Sequence, residues 1–207
     1  MIESLLTYWY LSLLLVVILI AAVFMWRKAL RSSAQNRRER ERLLAAMKAE
    51  NETRQWFLQL HEAGLAEADD RRLFAGAALS LQAALEKQAD LTAAFAALTQ
   101  EQRNIYALHY LLEDAAEALS HFFRQNGKPL TCTAQIAVRE VLGEDAAALF
   151  SPMYDAWDDG NEAVSLLPDL QAQQDEAFAL YLSEQDPIPC IARYIRQNFA
   201  ALRTDIH

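Results

Sequence analysis

The sequence contains few of the residues that make tight turns, phosphate-binding loops and covalent cross-links. Its 207 residues include only five glycines, five prolines and two cysteines. No glycine-rich phosphate loop and no Gly-x-Ser-x-Gly motif occurs, so the common signatures of nucleotide binding and serine hydrolysis are missing. Cys132 and Cys190 have no CxxC spacing and cannot build a disulfide framework. They favour two reduced thiols in a reducing compartment, and a single bridge between them is the alternative.

Basic residues are scarce in most of the chain. Residues 43–207 carry 12 Lys and Arg against 25 Asp and Glu, a net charge of −13. Residues 1–42 carry seven basic residues against three acidic ones, a net charge of +4. Nucleic-acid binding requires a basic surface that neutralises phosphates, so the acidic part is not expected to bind nucleic acid.

The N-terminal segment from Ser4 to Trp26 contains no charged residue over 23 positions. A helix of roughly 20 residues crosses a hydrocarbon layer about 30 Å thick, so this segment is long enough to span a membrane. Aromatic residues that prefer the headgroup interface stand at both ends, namely Tyr8, Trp9, Tyr10 and Trp26. Residues 1–26 are therefore predicted to form a short N-terminal tail and a transmembrane helix.

The flanks of this segment predict its orientation. All seven basic residues of the N-terminal part follow the span, starting with Arg27, Lys28 and Arg31 at the membrane interface. Because Lys and Arg resist translocation, the N-terminus is expected outside and the rest of the chain in the cytoplasm, at a bacterial inner membrane. A cleaved secretory signal is the alternative. That signal would need a basic segment before the apolar run, where Glu3 is the only charged side chain, so a signal anchor is favoured.

Residues 27–63 are predicted to form a basic juxtamembrane helical stalk. Charges of both signs recur at helical spacings, and no proline or glycine interrupts the segment before Gly64. The apolar positions do not make a clean heptad, so a coiled coil is only weakly indicated, and a homo-oligomer through the stalk is an alternative. Trp56, Phe57 and Leu60 are expected to dock onto the domain that follows.

Residues 64–207 are predicted to form an acidic all-α domain. Only three valines follow Trp26 and no alternating apolar run occurs, which argues against strands. Helix starts are predicted at Asp69 or Asp70, Asp90, Thr99 with Gln102, Thr131 or Thr133, Ser151-Pro152, Leu167-Pro168 and near Pro189. The predicted fold class is all-α, with one N-terminal transmembrane helix, a helical stalk and an acidic helical bundle.

One long helix is predicted from Thr99 to about Asn126, and it carries the only run of potential metal ligands. His109, Glu113, Glu117 and His121 follow one another at steps of four. Each step of four drifts by about 40° around a helix, so the outer two side chains point about 120° apart. A solvated face with helix-pairing charges is therefore favoured over a metal site, and no metal, cofactor or catalytic residue is assigned. A membrane-anchored enzyme or effector with a His/carboxylate site is the alternative.

The segment from Glu140 to Ala192 contains 12 acidic residues and no Lys or Arg. Within it, large side chains lie beside a dense acidic cluster that does not follow the calcium-loop pattern. Aromatic anchors rimmed by charge are typical of binding surfaces, so the residues predicted to contact a protein partner are Met153, Tyr154, Trp157, Asp158 and Asp159. The alternative is a solvated acidic face whose aromatic residues are buried in the core.

These features together favour a non-enzymatic protein that holds a partner at the membrane. The expected function is a membrane-tethered cytoplasmic adaptor or regulatory subunit, whose acidic helical domain binds a protein partner that offers a basic surface. A structural spacer that oligomerises through the stalk is a further alternative. The sequence does not identify the partner.

Overall fold

A computed structural model of the chain describes residues 37, 39–158, 160, 163–164 and 166–203. The predicted transmembrane segment 4–26 and its interface residues Tyr8, Trp9, Tyr10, Trp26, Arg27, Lys28 and Arg31 lie outside the described residues. Among the residues that are described, no helix combines the length and the apolar character needed to cross a bilayer. The chain divides into two compact units, Met1–Ala49 and Glu50–His207. In the first unit, residues 37 and 39–49 are helical and exposed.

The second unit is all-α, as predicted. Its helices are α1 (50–59), α2 (Glu62–Leu65), α3 (Asp70–Leu85), α4 (Leu91–Ala97), α5 (Gln100–Asp114), α6 (Leu119–Gln125), α7 (Leu130–Ala137), α8 (Glu144–Asp155), α9 (Pro168–Glu184), α10 (Ile188–Gln197) and α11 (Phe199–Leu202). A π-helical turn, Val138–Leu142, continues α7 and ends at Gly143. Within the described part of the chain, the only strands are β1 (Trp157–Asp158) and β2 (Ala163–Val164), which pair antiparallel.

Several predicted helix starts are confirmed. The Asp69 carboxylate accepts a hydrogen bond from the Arg72 amide at 2.8 Å, and the Asp90 carboxylate accepts one from the Ala93 amide at 3.0 Å. Thr99 and Gln102 form the reciprocal bonds of a capping box. Pro168 occupies the start of α9 as expected. These side chains satisfy amides that have no partner inside the helix.

The prediction of one long helix from Thr99 to Asn126 is wrong, because this segment forms two helices. The chain leaves α5 after Asp114, and Ala118 has extended backbone angles before α6 begins. Asp175 of α9 explains the break: its carboxylate accepts hydrogen bonds from the Ser120 amide at 2.7 Å and the Ser120 hydroxyl at 2.8 Å. This cap comes from 55 residues away and overrides the helical propensity of an alanine-rich segment.

Two other predicted helix starts are also corrected. Pro152 lies inside α8, which begins at Glu144 directly after Gly143, whose φ of 99° ends the preceding turn. The neighbouring Ser151 hydroxyl donates to the Ala147 carbonyl at 2.8 Å inside that helix. Helix α7 begins at Leu130 without a side-chain cap, so neither predicted threonine caps it.

The stalk helix ends earlier than predicted. Helical structure stops at residue 59, and Leu60 and His61 are not helical. The Arg203 guanidinium donates to the carbonyls of Leu58 and Leu60, both at 2.9 Å, and so satisfies carbonyls that the helix end leaves free.

Helix α1 is part of the core of the second unit, as the expected docking of Phe57 required. The Phe57 side chain is only 1% exposed, and its ring lies edge-to-face with Phe199 at 5.8 Å. Gly76 of α3 provides the space, because a Cβ atom at that position would lie 2.6 Å from the Phe57 Cβ. Close packing of these helices therefore depends on a residue without a side chain.

Candidate functional site

The aromatic residues of the acidic segment form one ring cluster between α6, α8 and α9. Phe150 is fully buried and contacts the rings of Phe123 at 5.2 Å and Phe178 at 6.3 Å. Tyr154 and Trp157 lie at the edge of this cluster, 6.4 and 5.9 Å from the Phe123 ring, and are half-buried. The cluster therefore belongs to the core and also reaches the surface through these two side chains.

The predicted contact residues do not all reach the surface. Met153 is fully buried, which corrects its assignment as a contact residue, because the side chain packs in the core beneath the patch. Asp158 is exposed, and its carboxylate accepts a hydrogen bond from the Gly160 amide at 2.9 Å. Asp159 lies outside the described residues. Tyr154, Trp157 and Asp158 are hereafter called the aromatic patch.

The polar end of Tyr154 is held against α7. Its hydroxyl lies 3.1 Å from the Cys132 sulfur, within hydrogen-bonding distance. This hydrogen bond, with a smaller contribution from burial, raises the pKa of Tyr154 to about 12. No disulfide joins Cys132 and Cys190.

The break between α5 and α6 also separates the residues of the His/carboxylate run. His109 pairs with Glu113 at 3.7 Å, and His121 pairs with Glu117 at 3.8 Å. Burial lowers the pKa of His109, although the charges of Glu113 and Asp114 oppose the shift. Among the described residues, no three His, Cys, Asp or Glu side chains are grouped to hold a metal ion. The single helical face on which the His/carboxylate hypothesis depended does not exist.

Sequence reasoning missed a groove of about 700 Å³ between α8, α9 and α10. Seven of its lining residues are apolar or aromatic or carry a thiol, and all of them except the exposed Leu180 are buried or half-buried. We call them the floor, and they are Leu142, Leu149, Ala177, Leu180, Tyr181, Pro187 and Cys190. Its rim carries four carboxylates, from Glu144, Asp145, Glu184 and Asp186. Gly143 and Gln185 complete the lining. We call this feature the acidic groove.

Local structure explains where the groove forms. The π-helical turn and Gly143 turn the chain from α7 into α8, which places Leu142 at the floor. The Tyr181 hydroxyl donates to the Leu142 carbonyl at 3.5 Å, and the buried Phe178 ring packs on Phe150. These contacts hold the C-terminal half of α9 beside the N-terminal half of α8. π-helical turns inside helices often occur at functional sites.

The carboxylates of the rim have structural roles as well. Glu144 and Asp145 lie in the first turn of α8, where the helix dipole favours negative charge. Asp186 accepts a hydrogen bond from the Ile188 amide at 3.1 Å, at the start of α10. The helix dipole and this hydrogen bond account for these three acids without any ligand. Neither accounts for Glu184, at the C-terminal end of α9, where the dipole disfavours an acid.

All charged side chains that line the groove are negative. No Lys or Arg lines it, although Arg139 reaches Glu144 at 3.5 Å and Arg71 reaches Asp186 at 3.1 Å from outside. In the part of the chain that the structure describes, neither Asp145 nor Glu184 forms an ion pair. Burial raises the pKa of Tyr181 on the floor, and the charge of Asp145 adds to the shift. The groove therefore offers two carboxylates whose charge no cation of the described chain neutralises.

A smaller cavity of about 270 Å³ lies on another surface, between α4, α5 and the start of α7. Phe95, Tyr106 and Tyr110 line it, and their rings contact one another. Burial raises the pKa of Tyr106, and a hydrogen bond to Tyr110 adds to the shift. The cavity has aromatic walls but contains no charged side chain in its lining.

The described surface thus presents the aromatic patch at one end of α8 and the acidic groove at the other. No protein-family model matches the sequence, and it has no significant match among curated proteins or solved structures. The geometry of these two surfaces is therefore what supports a function.

Proposed function

We propose that this chain is a single-pass protein of a bacterial inner membrane whose cytoplasmic helical domain acts as an adaptor or regulatory subunit. The uncharged segment 4–26 would span the membrane, and the basic residues that follow it would remain on the cytoplasmic side. The acidic all-α domain would bind a protein partner and hold it at the membrane. Tethering raises the local concentration of the partner and so replaces part of the intrinsic affinity.

The acidic groove is the observation that carries the proposal. An apolar floor beneath an acidic rim is the arrangement of a protein-recognition surface, where buried apolar contacts give affinity and the charges give specificity. The aromatic patch lies on the same helix and adds two half-buried rings at its other end. Both surfaces lie on the helical domain, and among the described residues neither groups three His, Cys, Asp or Glu side chains that could hold a metal ion.

Fusions to reporter enzymes test the topology. A C-terminal alkaline phosphatase fusion of the full chain is expected to be inactive, because that enzyme requires the oxidising periplasm, and a C-terminal green fluorescent protein is expected to fluoresce. Fractionation should place the chain in the membrane. An active phosphatase, or a mature chain free in solution, would contradict the proposed placement.

Affinity capture from membranes in mild detergent tests the binding function. The double variant Tyr154→Ala/Trp157→Ala is expected to recover less partner than the wild type, with unchanged helicity by circular dichroism. Tyr106→Ala/Tyr110→Ala is the matched control, since it removes two partly buried aromatic rings on another surface. Equal capture by the first variant and the wild type would remove the aromatic patch from the proposal.

Self-association through the stalk is a second candidate function, and one observation favours it. Leu43, Leu44 and Met47 are 64–66% exposed on helical residues of the first unit, and their spacing places them on one side of a helix. Sedimentation of the full chain in detergent should then show an oligomer. Leu43→Glu/Met47→Glu should dissociate it, whereas a monomeric wild type would exclude this candidate.

A further inference from the structure

We propose that the acidic groove binds a cationic amphipathic α-helix of the partner. This inference rests on the proposed function and specifies the chemistry of the partner segment. Two properties of the groove carry it, namely the shape of the apolar floor and the uncompensated charge of the rim.

The floor has the dimensions of a helix-binding surface. It lies between residues 142–149 and residues 177–184. Residues 177–184 lie within α9, where seven helical rises give a contact length of about 10 Å, which matches two turns of a bound helix. Leu180 of this helix is 54% exposed. Apolar side chains at positions i, i+3 or i+4, and i+7 of a partner helix fit such a floor.

The rim selects the charge of the occupant. Asp145 and Glu184 stand on opposite helices that flank the floor, and a purely apolar occupant would desolvate their carboxylates without supplying partners. Lys or Arg on the flanks of an amphipathic helix would supply these partners. Phosphate-bearing ligands, such as nucleic acids and anionic lipid surfaces, would be repelled. The groove therefore fits a basic helix better than any acidic or neutral occupant.

Site-specific photo-cross-linking in native membranes tests the occupant. In the full chain, Leu180 is replaced by the photoreactive amino acid p-benzoylphenylalanine. Mass spectrometry then identifies the cross-linked peptide. We expect a segment of another protein with Lys or Arg flanking an apolar helical stripe. Ile136, which is 44% exposed on α7, is the control position and should give no such adduct.

Charge variants in the cross-linking chain test the rim. Asp145→Lys/Glu184→Lys should lower the adduct yield at least about tenfold, since buried charge pairs at interfaces contribute strongly to affinity. Asp145→Asn/Glu184→Gln removes the charge with little change in shape and should also lower the adduct yield. This variant keeps the test valid if the first variant folds poorly. Glu113→Lys/Glu117→Lys makes the same charge change on an exposed surface elsewhere and should leave the yield unchanged.

Several outcomes would overturn the inference. One is that the cross-linked segment is acidic or extended. Another is that the cross-linked segment is the basic segment 27–42 of this chain or of a second copy. A third is that the rim variants leave the adduct yield unchanged. A second chain, with the photoreactive residue in place of Asp158, distinguishes failure of this inference from failure of the proposed function. Adducts from Asp158 without adducts from Leu180 would leave the adaptor function standing and remove the groove. The absence of adducts from both positions would remove both.

Discussion

Replacing Phe57 by alanine tests whether α1 is part of the folded core. The side chain is 1% exposed and packs on Phe199 and against Gly76, so its removal leaves a cavity as well as losing apolar contacts. Such Phe→Ala changes typically cost about 3–5 kcal/mol, a large part of the roughly 5–15 kcal/mol that stabilises a domain. Leu58→Ala, next in sequence but 45% exposed, is the control and should cost under about 1 kcal/mol.

The same contact makes a second, sharper prediction through Gly76. Alanine there is a better helix former by about 1 kcal/mol, but its Cβ would lie 2.6 Å from the Phe57 Cβ and 3.3 Å from the Thr53 carbonyl oxygen. Gly76→Ala should therefore destabilise the wild type by about 1–3 kcal/mol. Alanine at position 57 keeps its Cβ atom, so the 2.6 Å contact remains in the Phe57→Ala background. In a Phe57→Gly background that atom is gone, so Gly76→Ala should become neutral or stabilising there.

Urea denaturation of residues 50–207, followed by circular dichroism at 222 nm, measures both effects. With a slope of about 2 kcal/mol per molar, the Phe57→Ala midpoint should fall by roughly 1.5–2.5 M. The double-mutant cycle of Phe57→Gly and Gly76→Ala gives the coupling between the two sites. Equal midpoints for Phe57→Ala and Leu58→Ala, or additive effects at residues 57 and 76, would refute the packing of α1 on α3.

Two further changes test features on which the surfaces depend. Asp175→Ala removes the cap that α9 provides to Ser120 at the start of α6, and should cost about 1–2 kcal/mol in the same urea assay. Glu176→Ala, an exposed acid in the middle of the same helix, is the control, and equal midpoints for the two variants would contradict the role of the cap. Burial lowers the pKa of His109 below that of the unfolded chain, so the unfolded state binds more protons and the free energy of unfolding decreases as the pH falls below about 6.5. His109→Gln should flatten this loss between pH 7.5 and 5.5, and a profile unchanged by His109→Gln would contradict the assignment.

Local signals predicted the helix starts that depend on neighbouring residues. The caps at Asp69, Asp90 and Thr99 formed as expected, because each side chain bonds an amide only a few residues further along the chain. The Leu167-Pro168 start depends equally on local backbone geometry. Composition was also sufficient to predict the fold class, because valine and alternating apolar patterns, which are typical of β-sheets, are scarce after Trp26.

Features that depend on distant contacts were not predictable from the same signals. The break after Asp114 requires Asp175, and the end of α1 requires Arg203; both lie far along the chain. The acidic groove combines carboxylates from α8, from α9 and from the loop before α10, and only the packing of α8 on α9 brings Asp145 and Glu184 to the same groove. The acid-rich composition of residues 140–192 was the one available signal, but it marked the segment and not the groove.

The central claim is that the acidic helical domain holds a protein partner at the membrane. Its most direct test is photo-cross-linking in whole cells, with the photoreactive residue in place of Leu180 or Asp158, followed by membrane fractionation. The predicted result is an adduct with the same partner in the membrane fraction of the full chain and in the soluble fraction of a chain that lacks residues 1–36. The absence of adducts from both positions, or an adduct that stays in the membrane fraction without those residues, would contradict it.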